Sequence, residues 1–169
     1  MRLINFYTGI LIICCFSFFF TAKASARLNS TYAGNLKQYG AEISREIFDE
    51  SPLNGYVTFS IDEHFKLVAF FVNGRVRSEH LLPKNPTHPK VLNRNEVRDI
   101  SMNMFAMADR GVFHKQVNLA RVKAFFFDKG LISYEYDPKN KGAEQYVAIK
   151  TLLYEPGNSY RHINYKAYI

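Results

Sequence analysis

The dipeptide Asn73-Gly74 lies between two apolar stretches and constrains the fold of this chain more than any other feature. Asn-Gly is a preferred pair for a two-residue turn between adjacent antiparallel strands, because both turn positions adopt positive φ. The flanking stretches, residues 65–72 and 75–82, therefore predict a hairpin. Before them, residues 56–61 alternate apolar and polar side chains, which is typical of a half-buried strand. The sequence thus predicts a three-stranded antiparallel meander.

Two stretches show the three- and four-residue spacing of apolar side chains that is typical of amphipathic helices. The first covers residues 31–50. The second begins at an asparagine cap, Asn93 or Asn95, and runs to about residue 109, just before Gly111. Each predicted helix precedes a group of predicted strands.

The chain after the second helix again predicts strands, over residues 117–127, 131–136 and 145–154. The order of one helix and three strands therefore occurs twice. Strands that follow one another closely pair antiparallel, and amphipathic helices cover one face of such a sheet. We predict an α+β fold, an antiparallel β-sheet with two helices packed on one face.

The repeated order raises the alternative of a tandem α-βββ duplication with halves at residues 31–83 and 93–154. The sequence Ala-Phe-Phe at residues 69–71 recurs at residues 124–126, and each copy precedes a turn glycine. Two apolar strands can also share such a triplet by chance, so the sequence leaves both origins open.

The first 26 residues have the layout of a secretory signal peptide. An apolar run ends near Phe20, and small residues follow it, which predicts cleavage after Ala24 or Ala26. The alternative is an uncleaved N-terminal anchor, since residues 3–20 are nearly long enough to span a bilayer. We expect an exported protein, in the periplasm or the extracellular space, with a single α+β domain over residues 27–169.

Both cysteines, Cys14 and Cys15, lie within the apolar run and leave with the signal peptide. The processed domain is then expected to lack disulfides and thiol chemistry. The chain has 22 Lys and Arg against 15 Asp and Glu, a net charge of +7, of which the signal peptide removes only Arg2 and Lys23. The remaining excess of +5 favours an envelope or extracellular protein, an anionic polymer or a membrane surface as partner. The predicted compartment argues against nucleic acid, and a basic domain without any specific partner is the alternative.

Candidate catalytic groups are sparse in the processed sequence. Its five histidines show no metal-ligand spacing, and they are His64, His80, His88, His114 and His162. No serine lies in a nucleophile-elbow motif, and no glycine-rich phosphate loop occurs. Glu135, between two tyrosines on a strand, is a candidate buried acid, but one carboxylate is not a mechanism. We therefore predict no metal, no cofactor and no catalysis.

Two segments combine positive charge with features of a binding surface. Arg75 and Arg77 alternate along the third strand with Glu79, which indicates a ligand-facing basic strip or, alternatively, the charged row that protects an edge strand. The C-terminal tail, residues 158–169, interleaves tyrosines with basic side chains. Its candidate binding residues are Tyr160, Arg161, Tyr165 and Lys166. Stacking faces beside positive charge suit sugars, anionic polymers or a protein groove, whereas the same alternation fits a strand that closes the sheet.

Residues 55–68 combine a glycine, an alternating strand and the acidic turn Asp62-Glu63. This segment resembles the opening of periplasmic domains of the TonB C-terminal type, although Phe65 stands where those domains usually have a turn glycine. The resemblance implies a non-catalytic envelope domain that recognises partners by strand pairing. It carries no functional residues over to this chain.

The sequence as a whole favours an exported, non-catalytic binding or interaction module that uses a sheet face or edge and a basic-aromatic surface. The alternative is a small exported hydrolase with a carboxylate or histidine site in a cleft between the halves.

Overall fold

The computed structural model describes residues 28–139 and 144–158. The described residues form three helical segments and eight strands. The helical segments are α1 (Tyr32–Tyr39), α2 (Arg94–Met104) and α3 (Met107–Arg110), and the strands are β1 (Glu42–Glu50), β2 (Leu53–Ser60), β3 (Phe65–Val72), β4 (Arg75–Pro83), β5 (Phe113–Asn118), β6 (Val122–Phe127), β7 (Gly130–Tyr136) and β8 (Tyr146–Leu153). No helix of the described residues has the length and apolar character needed to cross a membrane.

All eight strands belong to one antiparallel sheet in the order β1-β2-β3-β4-β8-β7-β6-β5. Strands β1 to β4 form one meander, and β5 to β8 form a second. The two meanders join where β4 pairs with β8, over residues 78–81 of β4. The predicted α+β fold with an antiparallel sheet is confirmed. The tandem duplication stays a prediction, and each meander has four strands rather than three.

The main core lies between the helices and one face of the sheet. Residues that pair across antiparallel strands project to the same side of the sheet, so the core side chains of neighbouring strands lie together. Val57 and Ile132 lie on that face, and both are fully buried. Leu36 of α1 and Val97 of α2 belong to the same cluster. Both helices therefore pack on one face, as predicted.

The predicted helix over residues 31–50 is wrong in its second half, which is strand β1. Helix α1 ends at Gly40, whose φ of 81° lies in the left-handed region that glycine adopts readily. Strand β1 then has irregular pairing at two places, where Ile43 and Phe48 have no partner in β2. These β-bulges break the two-residue alternation, so the apolar spacing resembles that of a helix.

The prediction of one strand over residues 117–127 is also wrong, because β5 and β6 are separate strands of a hairpin. The turn closes with the Leu119 amide donating to the Val122 carbonyl at 2.8 Å. No glycine or proline marks this turn in the sequence, which explains the error. The second predicted helix is likewise interrupted at Phe105, whose extended backbone separates α2 from α3.

Two local predictions are confirmed. Asn73 and Gly74 have φ of 52° and 72° and connect β3 to β4 as the predicted two-residue turn. The Asn93 side chain caps α2. The Asn93 backbone amide in turn donates to the Glu96 carboxylate at 2.8 Å, which completes a capping box.

Candidate ligand-binding site

The predicted charged row of Arg75, Arg77 and Glu79 is not a row on one face. Strand β4 lies inside the sheet between β3 and β8, so the interpretation as an edge strand is wrong. Pairing of β4 with β3 has a bulge at Arg77, because Phe70 pairs with Ser78 and Phe71 with Val76. A one-residue bulge reverses the faces that follow it.

The bulge places Glu79 on the helix side of the sheet, where its side chain is fully buried. The Tyr39 hydroxyl of α1 donates to Glu79 Oε1 at 3.4 Å, and Oε2 has no hydrogen-bond partner among the described residues. Burial raises the pKa of Glu79 to about 8. The carboxyl is therefore held mostly protonated at neutral pH.

The two arginines of the predicted strip lie near the N-terminal segment of the domain. Arg75 is exposed and donates from Nη1 to the Asn29 carbonyl at 3.3 Å. Arg77 lines a cavity described below. The other predicted binding residues, Tyr160, Arg161, Tyr165 and Lys166, lie outside the described residues, so their role stays a prediction.

The predicted candidate acid, Glu135, is not buried. Its side chain is 32% exposed and lies 3.9 Å from the basic groups of Arg121 and of Lys150. The interpretation as a buried acid is therefore wrong, and the most deeply buried carboxyl among the described residues is that of Glu79.

The histidines of the described residues are spread over the fold. His80 lies on the sheet face opposite the helices, against the ring of Phe70 at 4.7 Å, and burial lowers its pKa to about 4. His64 pairs with Glu63 in a turn, and His88 lies in the exposed proline-containing loop. Within residues 28–139 and 144–158, no three metal-ligating side chains come together.

A cavity of about 570 Å³ lies between the two halves of the chain. Its walls include Ser30 and Arg77 from the first half and Asp109 and Asp128 from the second. The Asp128 carboxylate accepts hydrogen bonds from the Val112 amide and the His114 ring, which lower its pKa. The Ser30 hydroxyl accepts a hydrogen bond from the Asn35 side chain at 2.7 Å. An imidazole-carboxylate pair therefore lies beside this cleft, with Asp128 but not His114 in its wall.

A second cavity, of about 480 Å³, lies between α2 and the strands of the second meander. We call it the α2 pocket. Its walls are formed by Arg94, Asn95, Val97, Arg98, Arg110, Gln116, Lys123, Phe125, Phe127, Ile132, Tyr134 and Tyr146. Cavities of this size hold small ligands in many proteins.

The floor of the α2 pocket is aromatic. Phe125 and Phe127 alternate along β6 and so project to the helix side of the sheet, together with Tyr134 of the neighbouring β7. The ring centroids of Phe125 and Tyr134 are 5.4 Å apart. The Ser101 and Tyr134 hydroxyl oxygens lie 2.9 Å apart in a hydrogen bond, which fixes this ring against α2. All three floor residues are only partly buried, so apolar ring surface remains accessible from the cavity.

Arg110 forms the deepest part of the polar wall, and only 9% of the residue is exposed. Its Nε donates to the Phe105 carbonyl at 2.5 Å, and its Nη2 donates to the Ser101 carbonyl at 2.9 Å. The guanidinium also lies over the Phe127 ring, 5.4 Å from the centroid. Burial lowers the pKa of Arg110. Among the described residues, no carboxylate forms an ion pair with this side chain.

Three further cations lie around the α2 pocket, and each has a carboxylate nearby. Glu144 lies between Arg94, at 3.8 Å, and Lys123, at 3.6 Å. Arg98 pairs with Asp99, its neighbour in α2, at 3.2 Å. Two carboxylates therefore face four cations, and Arg110 is the cation of this pocket that pairs with no carboxylate among the described residues.

Sequence reasoning missed the α2 pocket. One signal was present, since Arg94 and Arg98 are four residues apart in the predicted helix and so share a face. Lys123 and Phe125 alternate in the predicted strand, which places them on one face as well. Nothing local indicates that Arg110 lies beside these residues, because the sequence predicts a single helix where the structure has α2 and α3.

No protein-family model and no curated protein matches this chain. Similar solved structures include an extracellular protein containing an SCP domain from Bacillus anthracis str. Ames, with 9% identity, a TM-score of 0.39, and coverage of 74% of this chain and 43% of that protein. A cysteine-rich secretory protein from Staphylococcus aureus subsp. aureus Mu50 is 9% identical, with a TM-score of 0.41 and coverage of 75% and 44%. The chain spans less than half of the length of either protein. The resemblance of residues 55–68 to TonB-type domains stays a prediction.

Proposed function

We propose that this protein is a non-catalytic binding module that acts outside the cytoplasm and uses the α2 pocket as its basic-aromatic surface. The observation that carries the proposal is the arrangement of Arg110 and three further cations around a floor of partly exposed aromatic rings. Aromatic rings offer stacking faces, and cations offer charged hydrogen-bond donors. The arrangement differs from the predicted strip on β4, but it has the same chemical character.

Export is supported by the N-terminal sequence. The apolar run and the small residues from Ala22 to Ala26 predict processing by a signal peptidase. We expect the intact mass of the exported protein to correspond to a chain that begins at Ser25 or Arg27. A membrane-associated form that retains Met1 would instead support the alternative of an N-terminal anchor.

The binding site can be located by NMR with the processed protein and a library of small fragments. We expect ligand-dependent shifts of backbone amides around Lys123, Phe125 and Tyr134, with the fragments recovered unchanged. Arg45→Gln removes a charge on the edge strand β1, away from the pocket. This control variant should show the same ligand-dependent shifts as the native sequence. Fragments that perturb only residues outside the α2 pocket would refute its role.

The cleft between the halves favours one competing function, a small exported hydrolase. The specific observation is the His114–Asp128 pair beside a cavity of about 570 Å³. If this alternative holds, ester or amide fragments should perturb amides near Asp128 and should be converted to acids. Replacing His114 with glutamine should then abolish the conversion, because the general base is lost.

A further inference from the structure

We propose that the α2 pocket recognises a small aromatic anion, a flat ring that carries one carboxylate or phosphate group, with Arg110 as the buried anchor of the anion. This inference rests on the proposed function, because it names the ligand class of the same site. It uses three features of the pocket, namely the unpaired charge of Arg110, the carboxylates beside the other cations, and the aromatic floor of a small cavity.

The first feature is the burial of Arg110 without a counter-ion in the part of the chain that the structure describes. Only 9% of the residue is exposed, and its two hydrogen bonds go to neutral carbonyl oxygens. Buried charges in proteins are normally paired, because an isolated buried ion has lost its hydration without gaining an opposite charge. A bound anion would supply that charge, and a guanidinium offers donors in the planar geometry that carboxylates and phosphates fit.

The second feature is the pair of carboxylates beside the other cations, which limits how much negative charge the ligand carries. Glu144 lies between Arg94 and Lys123, and Asp99 pairs with Arg98, so three of the four cations already share two carboxylates. A long polyanion would have to displace these carboxylates. A single anionic group that reaches Arg110 needs no such displacement.

The third feature is the floor of Phe125, Phe127 and Tyr134, which remains partly accessible. Neighbouring cations lie over these rings, since Lys123 Nζ is 5.8 Å from the Phe125 centroid and Arg110 is 5.4 Å from that of Phe127. A flat ring can stack on or meet the edges of such side chains, which favours it over an aliphatic chain. A volume of about 480 Å³ accommodates one or two rings with an anionic group.

The test is isothermal titration calorimetry of the processed protein with four probes: benzoate, phenyl phosphate, benzamide and inorganic phosphate. We expect benzoate or phenyl phosphate to bind at least tenfold more tightly than both benzamide and inorganic phosphate. The stronger of the two aromatic anions identifies the anionic group. Equal affinity for benzamide would refute the role of the charge, and equal affinity for inorganic phosphate would refute the role of the ring.

Two substitutions locate the effect. Arg110→Met should weaken binding of the preferred anion at least tenfold, but it also removes the donors to the Ser101 and Phe105 carbonyls, so circular dichroism must show that it folds. Glu144→Gln leaves the hydrogen bonds of Arg110 to the Ser101 and Phe105 carbonyls in place. It removes a negative charge beside the pocket and should tighten anion binding about threefold or more, whereas Glu63→Gln, the same change in a distant exposed turn, should not.

Unchanged or weaker anion binding by Glu144→Gln would overturn the inference. The failure of this inference is distinguishable from that of the proposed function. If none of the four probes binds while other fragments perturb the α2 pocket, the ligand class is wrong and the binding function stands. If no fragment perturbs the pocket, both are wrong.

Discussion

Replacing Glu79 with glutamine is expected to raise the free energy of unfolding by roughly 3 kcal/mol at pH 7. The carboxyl is fully buried, and its pKa is about 8 in the folded protein against a usual value of 4.5. At pH 7 the unfolded chain gains the free energy of ionising this group, and the folded protein does not. A difference of one in pKa corresponds to about 1.4 kcal/mol, which gives the expected size of the effect. Glutamine has nearly the same shape and no charge to desolvate.

The pH dependence of stability gives the sharper measurement. A raised carboxyl pKa contributes stability that is fully present below the unfolded pKa and is lost as pH rises through the folded pKa. His80, whose pKa is lowered to about 4, acts in the opposite direction below pH 6.5. Among the described groups, Glu79 makes the largest contribution between pH 6.5 and 8, and we expect the native sequence to lose roughly 1 kcal/mol there.

Urea denaturation at several pH values tests this expectation. The decrease of the free energy of unfolding between pH 6.5 and 8 should largely disappear in Glu79→Gln. It should persist in the control Glu63→Gln, because the Glu63 side chain is 84% exposed. Parallel pH profiles for the native sequence and Glu79→Gln would show that the buried carboxyl does not titrate as inferred.

Replacing Gly130 with alanine is expected to destabilise the fold by roughly 3 kcal/mol, at the upper end of typical overpacking costs. A Cβ atom at this position would lie 2.1 Å from the Leu152 carbonyl oxygen and 2.9 Å from the Phe105 ring. Both neighbours are fixed, the first by pairing of β7 with β8 and the second by burial in the core. The added methyl group can be accommodated only if the strands shift.

Gly74→Ala is the control, because it makes the same substitution in the turn between β3 and β4, where an added methyl group has space. A Cβ atom there would meet nothing within 4 Å, so only the cost of a positive φ, about 1 kcal/mol, remains. Thermal or urea denaturation of both variants measures the difference. Equal losses would mean that the contact with Leu152 does not determine the need for glycine at residue 130.

Local signals in the sequence predicted local structure correctly. The Asn73-Gly74 turn and the Asn93 cap depend on a few adjacent residues, and the structure confirms both. The apolar stretch of residues 65–72 likewise matches β3. These features suffice for the fold class, because meanders and amphipathic helices have few ways to pack.

The errors arise where pairing between strands changes the local pattern. Bulges at Ile43 and Phe48 make an edge strand look helical, and the bulge at Arg77 turns Glu79 from the predicted surface into the core. A bulge depends on the partner strand, so the sequence of one strand does not reveal it. The α2 pocket is harder still to predict, since Arg110 and Tyr134 meet only through the packing of α3 and α2 on the second meander.

The seam between β4 and β8 has a consequence for how the chain reaches its native state. Within each meander, pairing partners are close in sequence, whereas Glu79 and Thr151, which meet at the seam, are 72 residues apart. Closing a loop of that length costs chain entropy before any seam contact forms. The four residue pairs of the seam, the Ser78 hydroxyl donating to the Thr151 carbonyl at 2.7 Å, and the core that both meanders share offset that entropy together. We therefore expect the two meanders to form first and the continuous sheet to be completed at the seam.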